Sequence, residues 1–318
     1  MRAARIHAWG AAPVLDEVPE PIRGEGEVLV QVEAGAVAHL DVTVASGEFG
    51  LKPNLPYIGG VEGAGTVLEA DADSGLAPGT QVVLRGGGLG IVRDGTWTER
   101  VSVKRKAVTP LETPLEPAVA ASFFVPATTA YVALHDVGRI EKGEEVVVVG
   151  AAGAVGAMVA QQALAAGARV TGVVGLADQL SSVPDGVEGV ALTDGEGVAR
   201  LGRDRAAALL VDTLGGDGLI GRSRWVRQGG RAVVIGYVAG PRVELDLPSW
   251  LLDDVALLPV NMIRQERRAR EVAGDLVRRL SSGELTVAVE KFDLDDVPQA
   301  LDALRNGRVR GRAVVLPD

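Results

Sequence analysis

The chain has 318 residues, of which 47% are hydrophobic and only 3% aromatic, and its formal net charge is −10. That length holds about two domains with cores built from Val, Leu and Ala. The negative charge repels a polyphosphate backbone, and no lysine-rich arm or basic stripe offsets it, so no nucleic-acid partner is expected.

The sequence contains no cysteine, which removes disulfides, thiolate zinc sites and cysteine nucleophiles together. Its three histidines, His7, His39 and His135, lie far apart, and no histidine metal cluster is expected. MRAARIHAWG at the start lacks an apolar run long enough for a signal peptide, and no segment approaches ~20 uninterrupted apolar residues. A cytoplasmic protein with no membrane contact is the expectation.

From Met1 to about Pro117 the pattern is short and β-rich. The runs are EVLVQVEAG (Glu27 to Gly35), GAGTVLEA (Gly63 to Ala70), TQVVLRG (Thr80 to Gly86) and TERVSV (Thr98 to Val103). Gly, Pro and Asp punctuate them, and a compact β-barrel is the economical reading. From about Ala118 the rhythm alternates: a helix around Ala127 to Asp136, then strands at Val146 to Val149, Arg169 to Val174, Ala208 to Asp212 and Arg231 to Gly236. Strands separated by helices need right-handed crossovers and build a parallel sheet. After Val260, Ala269, Val272, Leu276 and Leu280 form one apolar helical stripe, with arginines on the opposite, solvated face. A strand (Leu285 to Val289), a short helix opened by Asp296 and Pro298, and the strand RAVVLP close the chain. Three elements are too few for their own core, so the tail is expected to rejoin the barrel. The predicted organisation is residues 1–117 as a first β-domain, 118–260 as an α/β domain and 261–318 as a return to the first.

The most informative stretch is VVVVGAAGAVGAMVAQQALAAGARV, Val146 to Val170. Four valines give a strand covered on both faces, and Gly153 has no Cβ. Backbone N–H groups of Ala152, Gly153, Ala154, Val155 and Gly156 can therefore close on a pyrophosphate at the positive end of the next helix. Ala151 takes the first place of the usual glycine fingerprint, leaving Gly153 and Gly156. A helix-packing turn is the alternative, but the strand before and the helix after supply the context that a dinucleotide site requires.

The order of motifs resembles the medium-chain dehydrogenase/reductase superfamily, and within it the zinc-free quinone oxidoreductase branch. The residues that carry the likeness are LPYIGGVEGAGTV (Leu55 to Val67), PGTQVV (Pro78 to Val83), DGTWTERVSV (Asp94 to Val103) and ATTAYVAL (Ala127 to Leu134). Further on come AAGAVG (Ala151 to Gly156), VDTLGG (Val211 to Gly216), GGRAVVIG (Gly229 to Gly236) and GRVRGRAVVLP (Gly307 to Pro317). The resemblance implies a GroES-like barrel joined to a Rossmann domain, a cofactor in the cleft between them, and commonly a homodimer.

Zinc alcohol dehydrogenases of that superfamily look like Gly-His-Glu where this chain has Gly60, Val61 and Glu62, and place a metal-binding cysteine where Ala38 stands. Neither a methyl group nor a valine holds a cation, so no zinc is expected. Leu40 stands where those enzymes place a proton-relay hydroxyl. Related quinone reductases often offer an asparagine and a tyrosine, and the matching positions are Ala38 and Thr43.

His39, Thr43 and Tyr57 are the candidate catalytic side chains. The superfamily counterpart of His39 often approaches the pyrophosphate; His39 is then a phosphate contact or a proton donor, and otherwise a polar contact at a helix start. Thr43 either donates to a substrate carbonyl or back-bonds its own helix, four residues after His39. Tyr57 and Phe49 shape a pocket mouth or pack in a core, and only Tyr57 has a titratable hydroxyl. Thr129 matches a superfamily threonine near the nicotinamide. Thr213, Gly236, Tyr237 and Asn261 fall at C-terminal strand ends, where open α/β sheets bind ligands.

Cofactor choice turns on Val173, Val174 and Gly175, about 20 residues past the glycine turn, where enzymes using NAD place a carboxylate. None is present, so NADPH is admitted without NADH being excluded, although no Arg or Lys follows in LADQLSS. Arg308, Arg310 and Arg312 could reach a phosphate, but a solvent-facing role is the expectation for each. The leading reading is a zinc-independent, NADPH-dependent oxidoreductase acting on a quinone or α,β-unsaturated carbonyl. Its alternatives are a dinucleotide-binding, redox-responsive or structural paralogue with little catalysis, and a metal-free alcohol dehydrogenase.

Overall fold

The computed structural model describes residues 1–317 and divides into two compact units: Met1–Phe124 with Val287–Asp318, and Val125–Thr286. In the first unit the strands are β1 (Arg2–Ile6), β2 (Val14–Glu17), β3 (Glu27–Val37), β4 (Tyr57–Ile58), β5 (Glu62–Glu69), β6 (Gln81–Arg85), β7 (Arg100–Lys104) and β8 (Val108–Pro110), with helix α1 (His39–Ala45) between β3 and β4. Helix α2 (Pro117–Tyr131) follows and continues as wider π-helical turns over Val132–Val137.

The second unit holds β9 (Glu145–Val149), α3 (Ala154–Ala165), β10 (Arg169–Val174), β11 (Glu188–Ala191), α4 (Gly195–Asp204), β12 (Ala207–Asp212), α5 (Leu219–Ser223), β13 (Val226–Val234), α6 (Leu247–Asp253), β14 (Ala256–Pro259) and α7 (Glu266–Ser281). The chain then returns to the first unit with β15 (Val289–Asp293), α8 (Val297–Arg305) and β16 (Arg312–Leu316).

The second unit is a six-stranded parallel sheet ordered β11-β10-β9-β12-β13-β14, the doubly wound arrangement with its switch point between β9 and β12. Its central strands are buried on both faces, which is why they read as runs of Val and Leu; each such side chain contributes about 1.5–3 kcal/mol on burial. The first unit combines a three-stranded sheet, β2-β1-β4, with a larger sheet running β15-β16-β3-β5-β6-β8, to which β7 adds by pairing with β3. The tail therefore rejoins the first unit through β16, antiparallel to β3.

Two expected boundaries move. The break after residue 117 falls at Phe124, inside α2. The break at 260 falls at Thr286, because α7 stays in the second unit: its stripe of Ala269, Val272, Leu276 and Leu280 is buried, and Arg268 on its flank pairs with Asp136 at 3.2 Å and donates to the Tyr131 hydroxyl at 3.0 Å. Not all of the arginine run is solvated. The closing strand pair also starts later than expected, at Val289 instead of Leu285, since register with β16 begins at the Val289–Arg312 pair. By length and composition Pro117–Val137 could cross a membrane, but 78% of its apolar window is buried, the behaviour of a core helix.

Candidate functional site

In the second unit the turn between β9 and α3 begins at Gly150, whose φ of +82° favours glycine. Two glycines further on have different duties. A Cβ at Gly156 would overlap the Gly150 carbonyl, so this glycine lets α3 close against the turn. A Cβ at Gly153 would meet only the Gly150 carbonyl, at 3.3 Å, so the protein's own packing does not require glycine there. Gly153 is the N-cap of α3 and supplies no side-chain cap. The first amides of α3, at Ala154, Val155 and Gly156, thus keep their N–H groups for an outside acceptor. This arrangement fits a pyrophosphate held by main chain.

Because all six strands are parallel, their C-terminal ends share one edge. There the structure gathers Ala152 to Gly156, Gly175 after β10, Thr213 after β12, Gly236 and Tyr237 after β13, and Asn261 after β14. Several of these groups already have partners. The Thr213 hydroxyl donates to the Val149 carbonyl at 2.8 Å, tying β12 to the strand before the turn. Asn261 accepts from the Arg264 amide at 3.2 Å, and Tyr237 is 65% exposed. Thr129 is buried within α2.

Sequence reasoning missed what fixes the loop after β12. Asp212, fully buried, accepts from the amides of Leu214 and Gly215, each at 2.8 Å, and pairs with the Arg222 Nε at 2.7 Å; Arg222 donates onward to the Gly215 carbonyl at 2.7 Å. Both Asp212 oxygens are engaged, and Arg222 donates from Nε and Nη2, which ties the loop to the end of β12.

In the first unit, α1 opens at Ala38, and Asp41 folds back to accept from the Ala38 amide at 2.8 Å. Its other oxygen accepts from the amides of Gly60 (3.2 Å) and Val61 (3.0 Å), so one buried carboxylate joins the start of α1 to the turn between β4 and β5. That turn is forced by packing: a Cβ at Gly59 would strike the ring of Trp97, which is fully buried and donates to the Ala36 carbonyl at 3.0 Å. Burial pushes the Asp41 carboxyl up to about 7, against the pull of its backbone donors and of the Arg312 charge. Beside it Glu62 and Arg312 form a buried ion pair, in which Glu62 Oε1 and Arg312 Nε have no hydrogen-bond partner among the described residues.

This arrangement corrects one expectation. Arg308 is exposed and pairs with Asp302, and Arg310 donates its amide to Glu290, but Arg312 turns inward because β16 is an interior strand beside β3 and Glu62 supplies its counter-charge. His39 and Thr43 share α1, but the Thr43 hydroxyl donates to the His39 carbonyl at 3.0 Å, which is the helix back-bond. Desolvation, then the Arg312 charge, lowers the His39 pKa and favours the neutral ring. Tyr57 lies in the first unit's core, its ring 6.1 Å from Trp9, instead of at a pocket mouth, because β4 is held against β1 through the Ile6–Tyr57 pair. Desolvation and the Asp41 charge raise its pKa, so the phenol stays protonated.

Residues 24–113 match the family model for the alcohol dehydrogenase GroES-like domain, and residues 190–315 match that for zinc-binding dehydrogenases. The acrylyl-CoA reductase of Ruegeria pomeroyi is 30% identical over 300 residues, spanning 91% of this chain and 90% of that protein. The chain belongs to the medium-chain dehydrogenase/reductase superfamily. A quinone oxidoreductase structure from Thermus thermophilus, solved also in complex with NADPH, superposes with a TM-score of 0.82 at 28% identity, over 99% of this chain and 100% of that one. Mouse quinone oxidoreductase is 24% identical over 336 residues, 99% of this chain and 97% of that protein.

The first unit is thus the superfamily's GroES-like domain and the second its Rossmann domain. At the superfamily's metal positions Ala38 and Val61 are both buried and carry no donor atom, and the stretch 190–315 contains neither Cys nor His. Among the described residues no group of three or more His, Cys, Asp or Glu is placed to hold a metal ion. The residues present do not fit a catalytic zinc.

Proposed function

We propose that this superfamily oxidoreductase is zinc-independent and uses NADPH to reduce a quinone or an α,β-unsaturated carbonyl. The observation that carries the reading is a pair of features in one chain: open amides at Ala154 to Gly156, beneath a Gly153 whose own amide donates to the Gly150 carbonyl, and methyl groups where a zinc ligand set would stand. When bound, the nicotinamide supplies the hydride; the protein supplies position and a dry environment. Amides of Ala154 to Gly156 hold the diphosphate bridge, and the loop braced by Asp212 and Arg222 fixes the sheet edge beside it. No Lewis acid polarises the acceptor here, so the acceptor must be activated by conjugation, which quinones and enones provide. The names of the relatives, acrylyl-CoA reductase and quinone oxidoreductase, support the same substrate class.

A second reading, a dinucleotide-binding paralogue with little catalysis, draws on Ala38 and on the engaged hydroxyl of Thr43, neither of which offers a free polar group to an acceptor. A metal-free alcohol dehydrogenase would need a base, and the neutral His39 is the group left for it on α1. Turnover separates the readings: NADPH is consumed with 1,4-quinones or enones and chelator has no effect. Cofactor binding without consumption across a broad acceptor panel would favour the paralogue, and oxidation of an alcohol the dehydrogenase. Cytoplasmic residence and a homodimer belong to the same proposal. The dimer would cover the edge strand β14 and the exposed Leu247, Leu251 and Leu252 of α6, and sedimentation tests it.

A further inference from the structure

The end of β10 is where a doubly wound domain distinguishes a ribose 2′-hydroxyl from a 2′-phosphate, and selection for NAD puts a carboxylate there. This chain has Val174 and Gly175 at that point, with no acid and no cation in the next seven residues except Asp178. A neutral amide takes the place instead. Gln179 folds back over the strand end, its backbone amide donating to the Leu176 carbonyl at 3.2 Å. Its side-chain oxygen accepts from the amides of Gly175 at 3.0 Å and Leu176 at 3.1 Å. It lies so close that a Cβ on Gly175 would be 3.3 Å from it.

Two N–H donors converging on one atom identify that atom as Oε1, which assigns the opposite end of the amide as Nε2. Nε2 donates to no described residue, and Gln179 is half-buried, so the side chain is held at one end and has an unused donor at the other. A glutamate in the same rotamer would accept the same two amides and present a negative oxygen where this donor stands.

We infer that Gln179 is a specificity-determining residue for the nicotinamide cofactor: its amide, anchored on Gly175 and Leu176, is the uncharged isostere of an NAD-selecting carboxylate and admits the 2′-phosphate. The inference rests on the NADPH reading above. It agrees with the lack of Arg and Lys in residues 176–182, since a neutral donor serves a 2′-hydroxyl and tolerates a 2′-phosphate, whereas a carboxylate repels the second.

Titration of NADPH and NADH against the full-length protein, followed by nicotinamide fluorescence, tests this with the variants Gln179→Glu and Gln179→Ala. Gln179→Glu keeps both amide contacts and is expected to melt like the parent while its NADPH-to-NADH affinity ratio falls by about tenfold or more, mostly through loss of NADPH. Gln179→Ala opens the turn without adding charge and should move that ratio far less. The inference is overturned if Gln179→Glu binds both cofactors with the parental ratio, or if Gln179→Ala moves the ratio as far as Gln179→Glu. Failure of the parent protein to bind either dinucleotide is a different result, which removes the NADPH reading and this inference with it.

Discussion

Arg312 and Glu62 are 250 positions apart and meet as a buried ion pair, so the last strand of the chain closes the first domain through charge as well as through sheet register. Two carboxylates, Glu62 and Asp41, share the field of that one guanidinium. Arg85, 3.8 Å from Glu62, is too far to donate a hydrogen bond. Within that field burial still raises the Asp41 carboxyl.

Removing one member of this pair strands the other in the interior. Arg312→Met should cost about 3 kcal/mol, measured by urea unfolding, because Glu62 loses its hydrogen-bonded partner and keeps only Arg85, 3.8 Å away, as a counter-charge. The double variant with Glu62→Gln should be more stable than Arg312→Met alone, since the poorly compensated charge is gone.

Two carboxylates give pH dependences of opposite sign. Burial raises Asp41 from 3.8 to about 7, so between those values the folded protein holds a proton that the unfolded chain has released. Its contribution to stability is complete below the lower value and is lost as pH rises through the upper one. Desolvation also acts to raise Glu27, but Ser102, Arg93 and Lys104 outweigh it and bring this group from 4.5 down to about 2. Its contribution is present above 4.5 and is lost as pH falls through about 2. Urea midpoints across the pH range should lose their neutral-side slope in Asp41→Asn and their acid-side slope in Glu27→Gln. Asp41→Asn should also be less stable than the parent in acid, because its Nδ2 would face the Ala38 N–H.

The knot after β12 should behave as a structural unit. Arg222→Met leaves Asp212 as a buried unpaired carboxylate and should lower stability by about 3–5 kcal/mol. Arg222→Lys keeps the charge but loses the fork that joins Asp212 to the Gly215 carbonyl, and should fall between the two. Calorimetry of the three proteins gives the order.

The Rossmann half was legible because doubly buried strands must be continuous apolar runs, and β9, β10 and β12 are such runs between glycine turns and an apolar helix. The first domain was legible only in part. β15 reads Val-Glu-Lys-Phe-Asp, a charged edge strand whose apolar side chains are too few to mark its start. Arg312 and Asp41 were invisible for a related reason: a charge at a strand start or in a first helical turn reads as solvent-facing until a distant partner is known, and Arg312 finds its partner 250 residues away. Gln179 carried no signal at all, because its meaning lies in the direction of its amide and not in its residue type.

Binding of NADPH to the parent protein and to Gly153→Val, with a thermal melt of each, tests the central claim most directly. Gly153 has φ −82° and ψ 163°, a conformation valine adopts readily, and a Cβ there meets nothing nearer than the Gly150 carbonyl at 3.3 Å. The account predicts a melt close to the parent's and loss of saturable NADPH binding, since the branched side chain fills the space over the amides of α3. A Gly153→Val protein that binds NADPH as tightly as its parent would contradict it.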